Sequence, residues 1–161
     1  MRVRLIRPSL KYFSRFRSSV DDPDDQRAAA AEYLARKGSG DALESEYWLV
    51  DDDSYIGRVG IRSEPTGRKP AIASHIHFEI KASMRRKGLG TKLLALALKK
   101  AAAMGIDPVL LACGATDAAC RKIVERNAGE LLRVVRVRTD GTSRKIRVYG
   151  VSLRRPPEVV L

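Results

Sequence analysis

The chain has 161 residues, enough for one domain with a real core but not for two, and its 44% hydrophobic and 31% charged residues match an ordinary globular protein. No apolar run reaches the roughly 18–20 residues that cross a bilayer as a helix, so a helical membrane protein is excluded. Thirty-one Lys and Arg against 19 acids leave a net charge of +12, which calls for an anionic partner: nucleic acid, a phosphorylated cofactor or an acidic substrate.

Val3 and Leu5 alternate with arginines as a short first strand that Pro8 ends, and no apolar signal-like segment opens the chain. Ser9 can cap a helix through about Ser18, with Leu10, Phe13 and Phe16 on one side. Asp22 and Pro23 then suit the cap and first position of a second helix, which four alanines carry to about Lys37. The acids at 21–25 read as a solvated helix start rather than a metal site. Residues 46–50 and 55–61 form an antiparallel hairpin around the polar link 51–54, with Gly57 and Gly60 marking a bulge or a close backbone approach. The turn-rich stretch 62–72 predicts a loop, and 73–81 a strand.

Leu89, Leu93, Leu96, Ala97 and Met104 recur at helical spacing until Gly105. A buried strand at 109–113 and a helix near 118–127 follow. Asp140-Gly141 is a strong two-residue hairpin turn. It places Val135, Val137, Ile146 and Val148 on one face and Arg136, Arg138, Lys145 and Arg147 on the other. The reading is an α/β (mixed α+β) fold in the order βααββ–β–α–β–α–ββ, one domain over 1–161 with a short tail at 155–161. Two cysteines, Cys113 and Cys120, are too few for a disulfide scaffold, so a reducing cytoplasm is the expected compartment.

Between the strand at 73–81 and the following helix lies Arg85-Arg86-Lys87-Gly88-Leu89-Gly90-Thr91. A basic, glycine-containing turn that opens a helix suits an anion, because the first N–H groups of the helix have no partner and the dipole favours negative charge. A Walker loop fails, since no glycine stands five residues before Gly88 or Gly90. A dinucleotide fingerprint fails at Leu93, which holds the third glycine position.

The stretch Arg85 to Gly90 instead resembles the (Arg/Gln)-x-x-Gly-x-(Gly/Ala) pyrophosphate loop of the GNAT superfamily of N-acetyltransferases. The likeness covers nearly the whole chain. Small bacterial predicted acetyltransferases are similar at Tyr47–Val50, at Ile56-Gly57, and from Cys113 through Arg121–Gly129. The resemblance implies a central, mostly antiparallel sheet of about seven strands with about four helices. It further implies acetyl-coenzyme A as cosubstrate and a primary amine as acceptor. Backbone N–H groups from Arg86 to Thr91 would hold the pyrophosphate, Phe78 to Ile80 would pair with the pantetheine arm as an added strand, and Arg85, Arg86 and Lys87 would attract the cofactor.

Amide formation from a thioester needs a base for the ammonium proton and an outlet for the thiolate. Glu79, on the strand beside the expected thioester, is the candidate base. His75 and His77 share one face of that strand; zinc is not expected, because no third ligand is evident, and His77 is a lesser base or substrate contact. The family's asparagine that helps hold the pantetheine corresponds to Asp117, and its tyrosine acid, seven residues later, to Val124. Tyr149 is the candidate substitute acid, while Cys120 reads as a small packing residue near the thiol path.

Two other readings stand beside this one. Between Leu131 and Arg155 eight basic residues face Asp140 alone, which would suit a nucleic-acid-binding protein, although the cationic face of the final hairpin is read as having no interleaved aromatics to stack bases. A catalytically degenerate family member that binds acyl-coenzyme A is the other. The expected acceptor is an amine on an acidic molecule, and the expected assembly a monomer or homodimer with no membrane partner.

Overall fold

The computed structural model of the chain describes residues 2–8, 44–52, 54–66 and 72–153. The helices expected at 9–18 and 22–37 lie outside the described residues. Among the described residues the order is β1 (Val3–Ile6), β2 (Glu44–Asp51), β3 (Ser54–Thr66), β4 (Ser74–Ile80), α1 (Leu89–Ala103), β5 (Val109–Gly114), α2 (Ala118–Arg126), β6 (Glu130–Thr139) and β7 (Thr142–Val151). The mixed α/β class follows the expectation.

The strands form two sheets rather than one. β1-β2-β3-β4 and β5-β7-β6 are each antiparallel throughout, and no backbone ladder joins β4 to β5. Side chains make the joint instead. His75 Nδ1 accepts the Leu110 backbone N–H at 2.9 Å, and the Ser74 hydroxyl proton is shared between the Ile76 carbonyl at 2.8 Å and the Leu110 carbonyl at 3.3 Å. These contacts hold the N-terminal ends of the two strands together. Beyond them the edges of β4 and β5 face each other across open space.

One core covers the inner face of both sheets. Leu49, Val59, Ile61 and Ile76 from the first sheet and Val109, Leu111, Tyr149 and Val151 from the second meet Leu89, Leu93, Leu94, Ala97 and Ala101 of α1. The buried positions of α1 fall at helical spacing, and complete burial of Leu93 and Leu94 contributes about 1.5–3 kcal/mol each. Gly105, with φ of 77°, ends α1: its N–H donates to Ala102 O, and the N–H of buried Ile106 donates to Ala101 O. On the opposite face of the first sheet, Trp48 and Val50 form a smaller cluster with Ile6 and Tyr55. The Trp48 and Tyr55 rings meet edge to face at 5.6 Å.

Three details refine the expected elements. β3 continues past Ile61 to Thr66, through a stretch expected to be loop. A register shift between Ile61 and Thr66 leaves Pro65 without a ladder partner on β4, where its missing N–H costs nothing. The close approach expected at Gly57 is to β4: a Cβ there would strike the Glu79 carbonyl oxygen and sit 3.2 Å from Ile80 Cα. The last hairpin turns at Asp140 and Gly141, with φ of 50° and 78°, and pairs Val135 with Ile146 and Arg136 with Lys145, giving the expected apolar and cationic faces.

Candidate active site

The divide between β4 and β5 opens into a cavity of about 1020 Å³. Ile76 to Ile80 form one wall, Leu111 and Ala112 the other, and the turn after β4 with the first turns of α1 and α2 closes the end. β4 brings two chemistries to it by simple alternation. Ile76, Phe78 and Ile80 lean on the core beside α1, while His77 and Glu79 take the opposite face.

The turn leading into α1 is shaped for an anion. Arg86 and Gly88 both adopt left-handed backbone, φ of 61° and 75°, with Lys87 between them. Such a winding turns successive N–H groups toward one concavity. Gly88 is also the N-cap of α1; no side chain caps the helix and no acid lies in its first turn. The N–H groups of Leu89, Gly90 and Thr91 thus begin the helix without intrahelical acceptors. Gly90 keeps the approach narrow: a Cβ would come within 2.6 Å of Ile123 Cδ1 on α2.

Phe78, Glu79, Ile80, Arg85, Arg86, Gly88, Leu89, Gly90, Thr91 and Asp117, all singled out from the sequence, line this cavity, as does His77. Lys87 and Tyr149 do not. Lys87 stands outside the lining with its Nζ 3.9 Å from Met84 Sδ. Tyr149 is 1% exposed in the core, so it is not brought to the cavity as a proton donor. Its place on β7 opposite Leu111 turns the ring into the packed layer under the helices. Val124, at the position of the family's tyrosine, is likewise fully buried.

Several of the lining residues are held by local bonds. Arg85 Nε donates to the Ile80 carbonyl at 3.0 Å, which fixes the end of β4 to the turn. Asp117 caps α2, its Oδ1 accepting the Cys120 N–H at 3.0 Å. Glu79 lies opposite Arg58 on β3 and pairs with it, Arg58 Nε and Nη2 both 3.3 Å from Oε2. Asn127 Nδ2 donates to Thr91 O at 3.1 Å and to Ile123 O at 2.9 Å, tying the end of α2 to the first turn of α1.

Two cations were missed in the sequence. Lys122 and Arg126 stand four apart on α2 and line the cavity, joining Arg85 and Arg86 around the helix start. Their i, i+4 spacing was readable; which way that face of α2 points was not. Cys120 packs against the core, as read from the sequence, but it is also cross-linked. Cys113 and Cys120 are joined by a disulfide, with Cα atoms 5.9 Å apart, because the first turn of α2 lies against the end of β5.

The donor set suits a polyphosphate on a long flexible arm: unpartnered helix N–H groups, four cations, and an apolar slot between strand edges. Residues 10–129 match the model of the "Acetyltransferase (GNAT) family". The chain belongs to that family. Solved structures agree on the fold. An N-acetyltransferase from Staphylococcus aureus is 15% identical with a TM-score of 0.64, covering 96% of this chain and 100% of its own. A spermidine N-acetyltransferase chimera, SpeG from Vibrio cholerae, is 13% identical with a TM-score of 0.67, covering 94% and 96%. RimL, a ribosomal-protein alpha-N-acetyltransferase in complex with coenzyme A through a cysteine disulfide, is 13% identical with a TM-score of 0.62, covering 93% of both chains. No curated protein sequence matches the chain.

Proposed function

We propose that this domain transfers the acetyl group of acetyl-coenzyme A to a primary amine. The observation that carries the reading is the slot between β4 and β5 that ends on the uncapped, glycine-opened start of α1. Bound acetyl-coenzyme A would supply the acetyl thioester. The N–H groups of Leu89, Gly90 and Thr91, with Arg86, Lys122 and Arg126 around them, would hold its pyrophosphate. The open edge of β4 would align the pantetheine arm. Arg85 already holds the Ile80 carbonyl on that edge, so Phe78, two residues back and facing the same way, offers the peptide groups for pairing.

Glu79 is the base in this reading. It lines the cavity on the face away from α1, where an acceptor amine can approach. Both Arg58 contacts fall on Oε2, leaving Oε1 to accept an ammonium proton directly or through a water. No side chain at the Val124 position can return a proton to the departing thiolate. Coenzyme A thiolate is a tolerable leaving group near neutral pH, and holding the reactants in line supplies much of the acceleration. Asp117 is occupied as a helix cap and contributes position rather than an amide donor.

The net charge of +12 favours an amine carried on an acidic molecule over a free polyamine. Burial of both Val124 and Tyr149 favours a second reading, a member that binds the cofactor without turnover. An amine panel assayed for coenzyme A release, with mass detection of acetylated products, separates the two. The enzyme reading requires product with at least one amine and its loss in Glu79→Gln. Cofactor binding with no product from any amine would favour the second reading.

A further inference from the structure

Of the two residues joined by the Cys113–Cys120 disulfide, Cys120 lines the cavity and Cys113 does not. Cys113, on β5, is 2% exposed. Cys120, in the first turn of α2, is half-buried and lines the cavity. The bond closes a separation of only 7 residues, so it lies at the low end of what a cross-link gains in chain entropy. Exposed disulfides are the labile, exchangeable ones.

Arg147 sets the polarity of this bond. It is the direct cross-strand partner of Cys113, so the two side chains share one face with Cβ atoms about 4.5–5.5 Å apart. Arg147 Nε is buried and has no hydrogen-bond partner. A thiolate on Cys113 would give this cation a counter-charge, which makes Cys113 the better leaving group. The sulfur of the cavity-lining residue is thus the one to be attacked, and that of the buried residue the one to depart.

Building on the proposed function, we propose that Cys120 is an exchange site for the thiol of coenzyme A, the product left after acetyl transfer. The coenzyme A thiolate attacks Cys120 Sγ from the cavity. A new sulfur–sulfur bond forms between coenzyme A and Cys120 while the Cys113–Cys120 bond breaks, and its electron pair leaves with Cys113 beside Arg147. The proton lost from the coenzyme A thiol is balanced when Cys113 takes one up. No external oxidant is required, because one disulfide replaces another. The product would be locked in the slot until another thiol releases it, coupling the enzyme to thiol status.

The test incubates the oxidised protein with coenzyme A, without other reductant, and follows intact mass and alkylation. The expected result is a gain of one whole coenzyme A per chain, mapped to Cys120, with Cys113 newly open to alkylation. Binding in the slot should make the exchange on the order of 10²-fold faster than with equimolar glutathione. Absence of an adduct, an adduct on Cys113, or an equal rate with glutathione would overturn the proposal. Cys120→Ser should form none. Cys113→Ser should form it only with the symmetric disulfide of coenzyme A, not with the thiol. Arg147→Gln should slow the exchange about tenfold, and an unchanged rate would remove Arg147 from the account. Acetyl-coenzyme A has no free thiol, so its calorimetric binding is a separate readout. Binding without a coenzyme A adduct defeats the exchange and leaves the functional reading standing; failure of both defeats both.

Discussion

His75 Nδ1 accepts the Leu110 backbone N–H at 2.9 Å, and this bond joins two sheets that share no backbone ladder. The imidazole must be neutral at Nδ1 to accept, and burial lowers the His75 pKa from 6.5. The unfolded chain therefore binds the proton more readily than the folded one. The stabilisation is complete above pH 6.5 and is lost as pH falls through the lower folded value. His75→Leu should cost about 1–3 kcal/mol, because the Leu110 N–H keeps its burial without an acceptor. His75→Asn, which keeps an acceptor that does not titrate, should lose less and flatten the acid slope. Thermal unfolding on both sides of pH 6.5 checks this, and a wild-type slope in His75→Asn would contradict it.

Gly129, after α2, has no room for a side chain. A Cβ there would strike Val124 Cγ1 and lie 2.8 Å from the Val124 carbonyl oxygen, which is backbone and cannot swing aside. Gly129→Ala should lower stability by about 1–3 kcal/mol in urea unfolding, from overpacking alone. An unchanged midpoint would show that the α2–β6 connection relaxes freely.

Lys122 and Arg126 predict a charge effect with a salt signature. Both line the cavity on one face of α2 beside the start of α1. Lys122→Ala and Arg126→Ala should each weaken acetyl-coenzyme A binding by roughly tenfold at low salt, and the penalty should shrink as ionic strength rises. A loss that does not depend on salt would point to altered packing of α2 instead.

Glu79 predicts a split in kinetic constants. Glu79→Gln keeps the size and the contact with Arg58 but cannot take a proton. Turnover should fall roughly 10²-fold with little change in KM for acetyl-coenzyme A. Retention of turnover would move the base elsewhere, with His77 on the same strand face the next residue to replace.

Much of the fold was legible because local patterns carried it. The glycine at 105, the Asp140-Gly141 turn and the alternation of β6 and β7 each act within a few residues, and each landed as read. The winding of the loop at 85–91 is likewise local, since it belongs to Arg86 and Gly88 themselves. What escaped depends on partners far along the chain. Nothing local in β4 tells that its neighbour 35 residues on will be held by a histidine instead of a ladder. The contribution of Lys122 and Arg126 follows from Asn127 fastening α2 to Thr91, a bond across 36 residues. Tyr149 misled because strand alternation gives two faces but not which one meets the cavity; opposite Leu111 it joined the core.

In the proposed complex, acetyl-coenzyme A lies between β4 and β5 with its pyrophosphate on the start of α1. Calorimetric titration of acetyl-coenzyme A into wild-type protein and Gly90→Glu tests it most directly. Gly90 is buried against Ile123 at the helix start, so a glutamate there adds both bulk and a negative charge where the phosphates should sit. Gly90→Ala, which adds only the methyl group, controls for packing. Wild-type protein should show saturable one-to-one binding, Gly90→Ala a modest loss, and Gly90→Glu at least about a 10²-fold loss with its folded spectrum retained. Absence of binding to wild-type protein, or equal affinity in a folded Gly90→Glu, would contradict it.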